Sequence, residues 1–71
     1  RLGKFQRAVK ELKRSLELEP EDPNIYEHLG DVYRALNKIP EALLNYQKAY
    51  EKFVDADKKT AIQKKIDALA K

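Results

Sequence analysis

Seventy-one residues make one small domain at most. With 42% hydrophobic and 38% charged residues but 2 Gly and 3 Pro, the composition excludes disordered and collagen-like chains. Zero cysteines exclude disulfide frameworks, thiolate metal sites and cysteine nucleophiles, and no apolar run reaches the roughly 20 residues that span a bilayer. The net charge of +3 conceals blocks of opposite sign. Arg1, Lys4, Arg7, Lys10, Lys13 and Arg14 precede a purely acidic stretch of Glu17, Glu19, Glu21, Asp22, Glu27 and Asp31; Lys58, Lys59, Lys64, Lys65 and Lys71 enrich the tail. Such blocks read first as solvated helix faces, with a basic partner or the basic tail of a neighbouring copy as the alternative for the acids.

Leu2, Phe5, Val9, Leu12 and Leu16 step by three and four, marking one apolar face of a first helix. It stops near Pro20, which lacks an amide hydrogen and clashes with the preceding turn. Asp22-Pro23 opens the second helix: the carboxylate caps free amides, and proline fits the first helical position. Ile25, Tyr26, Leu29, Val32, Tyr33 and Leu36 form its stripe, and Asn37 tolerates the left-handed conformation that ends a helix. A third helix opens at Ile39-Pro40-Glu41 and buries Ala42, Leu43, Tyr46, Ala49, Tyr50 and Phe53. Its stripe falters over Val54–Asp57, where a short link is expected, although no Gly or Pro enforces a break and a continuous helix is the alternative. The last helix, Lys58 to Ala70, carries Ala61, Ile62, Ile66 and Leu69. Nothing reads as a strand, so the fold class is all-α with about four helices.

Shifting the chain by 34 residues aligns Gly3 with Asn37, Phe5 with Ile39, Ala8 with Ala42, Leu12 with Tyr46 and Ser15 with Ala49. Tyr26-x-x-Leu29-Gly30-x-x-Tyr33, then Ala42-x-x-x-Tyr46 and Ala49, resemble the two helices of a tetratricopeptide repeat, with Tyr for the usual Trp and Phe. Ala8-x-x-x-Leu12 followed by Pro20 resembles the second helix of such a repeat and its closing proline. Val54 stands where the complete repeat would have that proline. The resemblance implies antiparallel helical hairpins of an α-solenoid. Residues 1–20 would be the second helix of a truncated repeat, 23–56 a complete repeat, and 57–71 a C-terminal capping helix. A mid-helix glycine costs about 1 kcal/mol relative to alanine, so Gly30 needs a packing reason, and close helix approach supplies one.

The same resemblance implies a concave face lined by first helices. On the second helix of this chain that face would present Asn24, Glu27, Asp31, Arg34 and Ala35 to a protein or peptide partner. Glu27 and Asp31 repel each other at four-residue spacing and disfavour a carboxylate ligand. Arg34 can pair with Asp31 one turn away, leaving Glu27 the more available to a basic ligand. The function expected is a non-catalytic interaction scaffold. His28 is the single histidine and lacks converging ligands, no phosphate loop or nucleophile motif exists, and no metal or cofactor is expected. The contrasting readings are a basic-ended element that binds nucleic acid and a purely structural cap. The lysine-rich last helix carries no aromatic for base stacking or interfacial anchoring, which disfavours nucleic acid and membrane. The chain opens inside a helical pattern and reads as part of a longer protein, so Leu2, Phe5, Val9 and Leu12 would be partly uncovered and favour a homodimer through the first helix.

Overall fold

A computed structural model describes residues 2–70, with no strand among them. Four helices follow in order: α1 (Leu2–Leu18), α2 (Pro23–Ala35), α3 (Ile39–Lys52) and α4 (Ala56–Ala70). Arg1 and Lys71, two of the basic groups at the ends, lie outside the described residues, as does the side chain of Leu2.

Each boundary has a local cause. Asp22 sits in an extended conformation (φ −79°, ψ 110°), and its carboxylate accepts the Asn24 N–H at 2.9 Å, with Pro23 in the first turn behind it. Asn37 adopts φ 61° and ends the second helix as its sequence predicts. The Asn37 N–H then donates to the Arg34 carbonyl and the Lys38 N–H to the Tyr33 carbonyl, satisfying otherwise orphaned acceptors. This tight corner reverses the chain, so α2 and α3 pack as an antiparallel hairpin.

The third and fourth helices are separate. Phe53 turns extended (φ −71°, ψ 135°) and buries its ring, while Asp55 accepts the Asp57 N–H at 2.8 Å and starts α4 at Ala56, two residues before the predicted Lys58. The Lys59 ammonium donates to the Tyr50 carbonyl at 2.6 Å, taking up an acceptor freed where α3 stops. It also lies 4.5 Å from the centre of the Tyr50 ring. Neither Gly nor Pro is needed for this break; a cap, a buried ring and a lysine make it.

The buried core consists of Ile25, Leu29, Tyr33, Ala42, Tyr46, Ala49, Phe53 and Ile62, drawn from α2, α3, the link and α4. Burying a side chain such as Leu29 or Ile62 contributes about 1.5–3 kcal/mol. Val9, Leu12 and Leu16 of α1 pack against this core but stay partly exposed, as do Ile66 and Leu69 of α4. Ala61, expected on the inner stripe, faces solvent because the stripe narrows to Ile62, Ile66 and Leu69. Gly30 is buried directly beneath Tyr46: a methyl group there would lie 2.5 Å from two carbons of that ring. The close helix approach expected of this glycine is therefore a contact with a single aromatic.

Candidate functional site

The five residues expected on the concave face all lie on α2, at spacings that keep them off the Leu29/Tyr33 core stripe. Asn24, Arg34 and Ala35 are exposed, whereas Glu27 and Asp31 are half-buried. The structure gathers the two carboxylates around a side chain from another helix. The Lys65 ammonium of α4 donates to Glu27 at 2.9 Å and to the two oxygens of Asp31 at 3.0 and 3.3 Å. It also stands 5.6 Å from the centre of the Tyr46 ring, and the Tyr46 hydroxyl donates to Asp31. Three helices thus meet at one charged cluster: α2 supplies the acids, α3 the phenol and α4 the ammonium.

Two sequence expectations are corrected here. Arg34 forms no ion pair with Asp31, because that carboxylate is already engaged by Lys65 and Tyr46. Glu27 is not the more available acid either; Lys65 holds it at 2.9 Å. Much of the acidic block is answered within the chain, since Glu21 pairs with Lys52 at 2.8 Å in the same way. Lys52 and Lys48 also flank the Tyr26 ring, at 5.6 and 5.8 Å from its centre.

The cluster perturbs its own titrations. Burial raises the Tyr46 phenol well above the usual tyrosine range, and the hydrogen bond to Asp31 and the nearby carboxylate charge push the same way. For Lys65, burial works against the charged form, but hydrogen bonds to Glu27 and Asp31 outweigh it and the ammonium is held above its ordinary value. Both groups therefore keep their protons at neutral pH, Lys65 as an ammonium and Tyr46 as a neutral phenol.

Lys65 and Tyr46 were not singled out as site residues from the sequence, yet a signal was present. Lys65 lies 34 positions after Asp31, the same shift that aligns the first helix with the third. Applied to α2, it points at α4. Ile62, Ile66 and Leu69 repeat the internal spacing of Leu29, Tyr33 and Leu36, but at a shift of 33, one residue short of that register. His28 is exposed on α2, and no group of three or more His, Asp or Glu side chains converges among the described residues. No helix among them is long and apolar enough to cross a membrane.

Comparison with known families gives two matches: a TPR repeat model over residues 1–33 and a tetratricopeptide repeat model over residues 23–60. Searches of curated proteins and of solved structures returned no match. The second family model alone spans more than half of the 71 residues, and its span includes the α2–α3 hairpin, the buried Gly30 and the start of α4. The chain belongs to the tetratricopeptide repeat family.

Proposed function

We propose that the outer face of α2 is the floor of a peptide-binding groove, with Asn24, Glu27, Asp31, Arg34 and Ala35 as its contact residues. Repeats of this family are generally non-catalytic scaffolds that mediate protein–protein interaction. The observation that carries the finer reading is a polar stripe on α2 that the core does not use: Asn24, Arg34 and Ala35 stay exposed beside the paired carboxylates. The buried Tyr46–Gly30 contact keeps that floor rigid, which lowers the ordering cost of binding. In this reading residues 1–20 are the second helix of a preceding repeat, 23–56 the complete repeat, and 57–71 the helix that closes the stack.

The partner is an extended or helical segment bearing basic side chains, chosen against acidic ones by Glu27 and Asp31. Selecting a random peptide library on the 71-residue chain tests this. Enriched peptides should carry Lys or Arg, shift the backbone NMR signals of Asn24 to Ala35, and lose affinity at least tenfold with Glu27→Lys/Asp31→Lys. Signals moving only on α1 or α4 would refute the groove. A nucleic-acid role gains little support from α4, because Lys59 and Lys65 are used within the molecule.

A second reading, a homodimer through α1, is favoured by one observation. Leu18 is 79% exposed at the end of that helix, and Phe5 is only half-buried. Apolar surface of this kind recruits a partner. Sedimentation equilibrium should show a dimer that Leu18→Lys weakens; a single monomeric species at millimolar concentration would end this reading.

A further inference from the structure

We infer that Lys65 is an internal competitor for the groove, covering Glu27 and Asp31 until a lysine from a partner takes its place. This rests on the groove reading above and adds a regulatory step to it. The geometry is that of a bound ligand group: one ammonium reaches three carboxylate oxygens at 2.9, 3.0 and 3.3 Å beside an aromatic face. That arrangement suits the point charge of lysine better than the planar fork of arginine.

The contact is also built to exchange. The Lys65, Glu27 and Asp31 side chains keep 30%, 23% and 39% of their surface exposed, so water and salt reach the pairs and weaken them. Meanwhile α4 does not depend on them for its place. Ile62 is 1% exposed in the core, Ile66 and Leu69 pack beside it, and Lys59 holds the Tyr50 carbonyl. Lys65 can therefore swing away by side-chain rotation while its helix remains docked. The Tyr46 hydroxyl, donated from the buried side, keeps Asp31 oriented for whichever ammonium arrives. The chain thus presents its partner with an occupied site, and affinity is set by the difference between two lysines.

The test uses n-propylammonium chloride as the probe, with tetramethylammonium chloride at equal ionic strength as a control lacking N–H donors. Lys65→Ala should bind n-propylammonium saturably, seen as NMR shifts of the Glu27 and Asp31 side-chain carboxyl carbons, at least tenfold more tightly than the unsubstituted chain does. Lys65→Ala/Glu27→Gln/Asp31→Asn should show no saturable response. Equal responses to the two salts, or equal affinity with and without Lys65, would overturn the inference. Should Lys65→Ala lose its helical circular dichroism, Lys65→Gln gives the same comparison with more of the stem kept. If library selection yields no groove peptide while the amine still binds, the groove reading fails and Lys65 stands as the resident of the site.

Discussion

Gly30 and Tyr46 show how two residues decide the repeat. Helix propensity alone favours alanine over glycine by about 1 kcal/mol. A Cβ at Gly30, however, would press against the ring of Tyr46, which is fully buried and has nowhere to move. Overpacking of that kind costs about 1–3 kcal/mol and wins. Gly30→Ala should therefore destabilise the chain by about 1 kcal/mol net, lowering Tm by about 4–8 °C for a domain of this size. Gly3→Ala is the control, since a Cβ there meets nothing within 4 Å and only the propensity gain remains. If thermal melting shows Gly30→Ala as stable as the parent, steric contact is not what fixes glycine at this position. Tyr46 gives this one position two roles, because the ring that excludes a methyl group also orients Asp31 through its hydroxyl.

At the scale of the elements, the starts of α2 and α3 and the corner between them were legible because their signals are local. Asp22-Pro23, Pro40 and Asn37 act on the backbone within a turn of themselves, so the α2–α3 hairpin could be read directly from the chain. The placement of Asn24, Glu27, Asp31, Arg34 and Ala35 on α2, off its buried stripe, follows from spacing along one helix in the same way. The break after α3 was not legible, and for the Lys65 contact the 34-residue shift pointed at α4 without giving the contact itself. Each depends on groups that meet only once the chain has folded: Phe53 entering the core, Lys59 reaching back nine residues to Tyr50, and Lys65 reaching 34 residues to Asp31. The link itself offers a test. Val54 is 94% exposed, its N–H makes no hydrogen bond, and it follows an extended Phe53, the conformation that proline requires of its predecessor. Val54→Pro restores the proline that Pro20 supplies at the corresponding place, and should raise stability by about 0.4–1 kcal/mol by restricting the unfolded chain. A fall in the urea midpoint would mean that the link needs a φ closed to proline.

Across the whole molecule the burial is uneven. Among the described residues, each buried core side chain belongs to the stretch from Ile25 to Ile62, and α1 contributes only partly covered Val9, Leu12 and Leu16. A helix that shares a core without entering it opens at lower free energy than the rest. Amide hydrogen exchange at low protein concentration should then release α1 ahead of α2 and α3, whereas uniform protection would place all four helices in one cooperative unit. The corner at Glu19–Asp22 is held by one 3.2 Å backbone hydrogen bond, a 3.3 Å bond from the Tyr26 hydroxyl to the Pro20 carbonyl and the Glu21–Lys52 pair, whose exposed glutamate makes it a weak restraint. A leading segment attached in this way would fray first under mechanical tension, leaving the Tyr46-centred hairpin as the last part to give way.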